Sequence, residues 1–355
     1  MAGRVTIQDI ADALGVSRNT VSKAINNTGI LADDTREKVL RKAMEMGYKQ
    51  FSYMNAASGE KNPSTGEAAG EIALLIKGFV GKTGFLSALL DRLQGEFSRL
   101  GYAFTIHRVC REDVEALRLP FSFDREKASG IICIEVLDYD YCAMLCSLQI
   151  PLLFVDSPVT AMREPLKADF IFPDNQSNAY VFIREMARRG KTSIGFIGEY
   201  LHCQSFFERY MSYRNAMYLT GLPCREEYCI TGNKEGVASP TSEEYQEYLE
   251  ESFLKLKSLP EVFVCANDYV VFDTLKVFKK LGISVPADVW LCGFDDAMEA
   301  QIITPSLTTV HIHSSIMGHS AAYLLVSRIR EPQLQFRMIY GQTSLVYRES
   351  TGDCE

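Results

Sequence analysis

Arg18, Asn19, Thr20, Ser22 and Lys23 crowd a single short stretch, GVSRNTVSKAINN, that runs from Gly15 to Asn27. Nearly all of these side chains can donate to a phosphate oxygen, and the amide and the two cations can also read base edges in a DNA groove. A second set is dispersed. Asp156, Asn267 and Asp295 close apolar runs. Carboxylates accept and an amide both accepts and donates, so these positions can meet a polar ligand. For any one of the charged members, a salt bridge between subdomains is the competing role.

The elements that must carry the first set are short helices. Ile7, Ile10, Ala11 and Leu14 fall on one helical face. Thr6 with Asp9 forms a capping-box pattern, and Gly15 ends the helix. Ser17 caps a second helix whose inward positions are Val21, Ala24 and Ile25. A third is expected from Asp34, with Glu37 closing another capping box and Val39, Leu40 and Ala43 turned inward. Two helices joined by a tight Gly-containing turn make a helix-turn-helix. A small bundle without a ligand is the alternative, and the polar outward face of the second helix argues against it.

Charge supports an anionic partner for this head alone. Residues 1–55 hold 8 Lys/Arg against 6 Asp/Glu, whereas the remainder holds 29 against 39. Charges act over about one Debye length, roughly 8 Å, so the acidic body is expected to cost the head little.

From Glu71 onward, strands and helices alternate. IALLI, YAFTIHRV, GIICIEV, PLLFVD, ADFIF, SIGFIG, EVFVCAN and VWLCGFD read as strands with helical stretches between most of them. This is an α/β pattern with parallel sheets, long enough for two doubly wound subdomains. Ligands of such sheets sit beyond the carboxyl ends of the strands, where Asp156, Asn267-Asp268 and Asp295-Asp296 stand. Gly81-Lys82-Thr83 imitates a phosphate-binding loop, but Ile76 occupies the place of its first Gly. That loop instead suits close approach of a ligand to backbone.

No apolar run reaches the roughly 20 residues of a membrane span, and the N-terminus has no apolar signal core, so a cytoplasmic protein is expected. The ten cysteines lie mostly inside apolar runs and read as free thiols. Neither Cys142/Cys146 nor His311/His313 gives a zinc spacing. No metal, cofactor or catalytic residue is expected, and no nucleophile–base set points to an enzyme.

VTIQDIADALGVSRNTVSKAINN resembles the DNA-binding head of the LacI/GalR family of bacterial transcriptional regulators, through T-x-x-D-I-A, G-V-S, T-V-S-K and Asn26. The resemblance implies that Arg18, Asn19 and Lys23 read major-groove base edges, while Thr6, Ser17, Thr20, Ser22 and Asn26 hold phosphates. Lys23 stands where the family more often has Arg, and lacks its rigid fork. The resemblance also implies a hinge helix that presses a leucine into the minor groove. Ala57 stands at that position and is too short to unstack a base step. Phe51, Tyr53 and Met54 either pack on the third helix or supply the wedge, Met54 being the candidate for DNA contact. Residues 56–70 read as a flexible linker between a head at 1–55 and a body at 71–355.

The body resembles the family's periplasmic-binding-protein-like effector domain. The resemblance rests on F-V-D, P-D-N, E-R-Y-M-S-Y, A-N-D, G-I-S-V-P-A-D-V-W-L-C-G-F-D-D and P-S-L-T-T-V, in that order. It implies that Phe85, Asp156, Arg209, Asn267 and Asp295 bind an effector; carboxylates accept from paired hydroxyls, a guanidinium donates as a fork and an amide does both, which fits a polyol such as a sugar or sugar derivative, with a nucleoside as the alternative. Three crossings between subdomains are implied, near 173–175, 309–311 and 338–341. Ser212, Val271, Asp273 and Gly190-Lys191 depart from the family's usual residues and are expected to reshape the pocket. The expected protein is a repressor that binds operator DNA as a homodimer, since no leucine heptads follow SLVYRESTGDCE. A plain solute-binding protein is the rival reading, and the head argues against it.

Overall fold

In the computed structural model, residues 6–26, 35, 38, 39, 42, 46, 69–77, 84–233 and 240–353 are described. The chain divides into two compact units, Met1–Gly66 and Glu67–Glu355.

Local signals set the first unit. Helix α1, Ile7–Leu14, starts at Thr6, whose hydroxyl accepts from the Asp9 amide while the Asp9 carboxylate accepts from the Thr6 backbone. It stops at Gly15, held at φ 65°, where a side chain would be strained. Helix α2, Arg18–Asn26, starts where the Thr20 amide donates to Ser17 Oγ at 3.0 Å. Each such cap stabilises by about 1 kcal/mol. Ile10, Ala11, Val21, Ala24 and Val39 form the core, with Ile7, Leu14, Val16 and Met46 against it. Residues 35, 38, 39 and 42, which fall in the expected third helix, are helical; its proposed caps and Leu40 lie outside the described residues. The hinge positions Phe51, Tyr53, Met54 and Ala57, most of the linker and the loop 78–83 also lie outside them.

In the second unit, β1 (Gly70–Ile76), β2 (Tyr102–Arg108), β3 (Ala128–Ile134), β4 (Leu152–Val155), β5 (Asp169–Pro173) and β11 (Met338–Gly341) pair in parallel. Their order is β11-β5-β4-β3-β1-β2. Gly70, read from the sequence as linker, is the first strand residue: the neighbouring Ala69 amide already pairs with Gly101 O. A second parallel sheet, order β7-β6-β8-β9, contains β6 (Ile194–Ile197), β7 (Cys229–Ile230), β8 (Val262–Cys265) and β9 (Trp290–Cys292). The strands are apolar because helices cover them: Ala73, Leu74 and Leu75 in β1, and all of β4 and β6, are buried.

The first lobe packs α3 (Gly84–Arg99) and α11 (Ser314–Arg330) on one face of its sheet and α5 (Tyr139–Ser147) on the other, with α4 (Arg111–Glu115) nearby. The second lobe carries α6 (Ser177–Arg188) and α7 (Gln204–Leu219) on one side, and α8 (Glu243–Leu254) and α9 (Asp268–Leu281) on the other. A short α10 (Met298–Ile302) precedes β10 (Thr309–Ile312), which pairs antiparallel with β12 (Thr343–Val346). The chain thus leaves the first sheet after Pro173, returns from the second through β10 to α11 and β11, and finishes against β9, where Ser350 Oγ donates to Leu291 O.

Candidate functional site

On the head, Ser17, Arg18 and Asn19 are exposed, while Thr20, Ser22 and Lys23 are half-buried. Three of the expected phosphate-holding hydroxyls already meet partners: Thr6 Oγ1 lies 2.7 Å from Asp9 Oδ2, and Ser17 Oγ and Thr20 Oγ1 lie 2.8 Å from each other. Arg18 and Asn19, at the exposed start of α2, are the groups best placed to reach outward. The side chain of Asn26 and all of Met54 lie outside the described residues.

In the body, parallel topology brings strand ends together. Glu135 and Asp156 directly follow β3 and β4, and Asp295 and Asp296 lie just beyond β9. All four adopt positive φ, at 56°, 62°, 112° and 52°. Side chains rarely take this conformation, and such strain clusters at binding sites. Neighbouring Gly293 is obligatory, because an added Cβ would collide with the Asp268 carboxylate.

Arg209 is the hub. It projects from α7 and is 7% exposed. Its Nε donates to Asn175 Oδ1 at 3.0 Å and its Nη1 to Ala266 O at 2.6 Å. Its Nη2 lies 3.6 Å from Asp295 Oδ1, and its guanidinium covers the Phe294 ring at 3.5 Å from the centroid. The competing salt-bridge role is therefore realised with Asp295, but inside the second lobe rather than between lobes. Asn267 caps α9, accepting from the Val270 amide at 3.0 Å, and lies close enough to Asp295 to favour its ionised form. Asp156 reaches this cluster from the first lobe: its Oδ1 accepts from the Ser205 amide at 3.1 Å, at the start of the same α7. Phe85, on α3, is half-buried and packs against the first lobe's core.

Burial sets the electrostatics. It pushes the Asp295 carboxyl up to about 6; Asp156 adds to the rise, and Arg209 and Asn267 oppose it. The Asp295 side chain nevertheless keeps 19% of its exposure, so the carboxylate is both poorly solvated and reachable. Asp268 differs. It is fully buried, accepts from Thr309 Oγ1 at 2.6 Å and from the Ala297 amide at 2.8 Å, and is held well above the usual carboxylate range by burial and by Asp295. It ties the strand end together.

The departures from the family pattern have structural partners. Ser212 Oγ donates to Glu208 O, and buried Asp273 accepts from the Thr241 amide and Gln246 Nε2. The sequence reading missed Asn175, Glu208, Tyr340 and Phe294. Asn175 sits inside the quoted P-D-N and Glu208 directly precedes Arg209, but only the fold shows that they touch. Among the described residues no group of His, Cys, Asp and Glu could hold a metal ion, and no helix is long and apolar enough to cross a membrane. The arrangement offers converging acceptors, one buried fork donor and an amide, which is equipment for holding a polar ligand.

Two family profiles match: that of bacterial regulatory proteins of the lacI family over residues 6–50, and that of a periplasmic binding protein-like domain over residues 183–351. The HTH-type transcriptional repressor PurR of Actinobacillus pleuropneumoniae serotype 3 (strain JL03) is 25% identical over 352 residues, covering 97% of this chain and 98% of the relative. A complex of the transcriptional regulator CelR with cellobiose superposes with a TM-score of 0.66 at 22% identity, covering 98% of this chain and all of that one. The lac repressor dimer bound to operator and the anti-inducer ONPF gives a TM-score of 0.63 at 19% identity, with 98% and 99% covered.

Proposed function

This chain belongs to the lacI family of bacterial regulatory proteins, and on that premise we propose how a repressor of this sequence works. Its head holds operator DNA through Arg18, Asn19 and Lys23 at base edges, with Thr6, Ser17, Thr20, Ser22 and Asn26 at the backbone. A homodimer in the cytoplasm reads a pseudo-palindromic operator. The cleft of the body takes a small polyhydroxylated effector, a sugar or sugar derivative, through Asp156, Arg209, Asn267 and Asp295, with Phe85 at its edge. The effector changes operator affinity because it binds two arrangements of the body unequally.

The observation that carries this reading is the convergence of Arg209 and Asn267, from separate elements, on the poorly solvated but reachable Asp295 carboxylate. A buried carboxylate is costly without donors, and hydroxyls of a ligand supply them. Arg209 already covers a face of Phe294, which favours hydroxyl recognition over stacking of a base. The full-length likeness to repressors named PurR supports a second reading, a purine-type effector in the same cleft. A thermal-shift screen of cellobiose, ribose, other free and phosphorylated sugars, nucleosides and purine bases decides between them. Operator affinity is then measured with and without each compound that stabilises the protein. A screen in which only purine compounds raise Tm overturns the sugar reading. An Arg209→Ala variant that keeps a normal ligand response removes Arg209 from the site.

A further inference from the structure

Arg209 is itself held, and the chain of bonds that holds it crosses between the lobes. Asn175, which accepts from Arg209 Nε, donates through Nδ2 to Glu208 Oε2 at 2.8 Å. The other oxygen of Glu208 accepts from the Tyr340 hydroxyl at 2.9 Å and from Gln204 Nε2 at 3.1 Å. Gln204 Oε1 in turn accepts from the Thr160 amide at 3.3 Å. Thr160, beyond β4, and Tyr340, on β11, belong to the first lobe; Gln204, Glu208 and Arg209 belong to α7 of the second.

The order of donors and acceptors leaves little freedom. A guanidinium only donates and an ionised carboxylate only accepts. Asn175 lies between one of each, so its amide has a single satisfied orientation, oxygen toward Arg209 and nitrogen toward Glu208. Asn175 is 1% exposed and Glu208 9% exposed, so water does not readily replace a lost partner. Separation of the lobes withdraws the Tyr340 hydroxyl from Glu208 and the Thr160 amide from Gln204. Glu208 then keeps only Asn175 and Gln204 as donors, and Gln204 has itself lost its anchor.

We infer that Glu208 is a positioning residue for the candidate effector cleft: one oxygen fixes Arg209 through Asn175, and the other makes that position depend on contact with Tyr340 of the first lobe. The inference rests on the reading of Arg209 as an effector contact. It gives the cleft a physical means of sensing lobe arrangement, since the same carboxylate serves both sides.

The test uses the full chain without ligand, so that it is independent of effector identity. Hydrogen exchange is followed by mass spectrometry in peptides covering 338–343, 173–178 and 264–270 for the parent, Tyr340→Phe, Glu208→Gln and the double variant. Tyr340→Phe removes one hydroxyl from a side chain that is 43% exposed, so it preserves the fold. It is expected to speed exchange roughly three- to tenfold, the equivalent of about one hydrogen bond, at 264–270, where Ala266 O is held by Arg209, as well as at 338–343. Glu208→Gln is expected to give the same change at 264–270, and the double variant no more than Glu208→Gln alone. Acceleration confined to 338–343, or effects that multiply in the double variant, overturns the positioning role. Should Glu208→Gln fail to fold, Tyr340→Phe decides the matter by itself. Transmission to 264–270 with no compound stabilising the protein in the ligand screen discards the effector reading and leaves the positioning role standing. Confined exchange with a normal ligand response does the reverse.

Discussion

Replacing Asp295 by Asn removes a charge that the ligand-free body holds at a loss. A carboxyl held at about 6 instead of 3.8 is less stable in its ionised form by about 3 kcal/mol at pH 8. That figure is net of Arg209, which lies 3.6 Å away and opposes the rise. Asn keeps the shape and loses the charge. Arg209 keeps Asn175 and Ala266 O, and Asp268 loses a like charge that raises its own pKa. We expect Asp295→Asn to stabilise the ligand-free protein by about 1–3 kcal/mol at pH 8, the lower end reflecting the desolvation of the amide that replaces the carboxylate. Because the folded pKa lies above the unfolded one, the wild-type carboxyl is least costly below pH 3.8, and its stability contribution is lost as pH rises through about 6. The advantage of the variant is therefore largest above pH 7 and fades between about 6 and 4. Scanning calorimetry of both proteins from pH 5 to pH 8 reads this as a Tm difference of a few degrees that narrows on the acid side, at about 2–4 °C per kcal/mol for a body of this size or slightly less. A variant that melts lower at pH 8, or a Tm difference that does not change with pH, refutes the electrostatic account. The same variant is expected to bind a polyol effector more weakly, since the carboxylate that burial disfavours is the group proposed to accept from the ligand.

Three further outcomes follow from the head and hinge. Arg18→Ala and Lys23→Ala are each expected to weaken binding to the specific operator by about 1–3 kcal/mol and to weaken binding to random DNA less; equal losses in titrations on both DNAs assign these residues to phosphate. Ser17→Ala removes the acceptor of the Thr20 amide and is expected to destabilise the head by about 0.5–2 kcal/mol, seen as faster amide exchange in α2; unchanged exchange there means that Ser17 is not the cap. In the hinge, Ala57→Leu is expected to deepen operator bending and Met54→Ala to weaken operator binding and reduce the bend. If Ala57→Leu leaves affinity and bend unchanged in gel-shift and bending assays, the hinge does not reach the minor groove.

What the sequence by itself determined is what neighbours along the chain decide. The Thr6–Asp9 capping box and the Gly15 stop are properties of a few adjacent residues, and both stand in α1 as the spacing implied. The apolar runs specified buried strands, and their alternation with helices specified parallel sheets, because only crossover connections join parallel strands. Asp156, Asn267 and Asp295 could be singled out for the same reason: a polar residue just past an apolar strand marks the open end of the sheet. Partnership was another matter. Whether Arg209 meets Asp295, Asn175 or a ligand depends on residues 34 positions away and more, brought together by packing of lobes. Tyr340 and Glu208 lie 132 positions apart, and a tyrosine on an exposed edge strand carries no local sign that a buried carboxylate waits across the cleft. Positive φ at Glu135, Asp156, Asp295 and Asp296 was equally silent in the sequence, since none of these residues is glycine and the conformation is imposed by the surrounding fold. Propensity and periodicity act over a few residues, whereas the charge state and orientation of a binding group are set by everything that surrounds it in space.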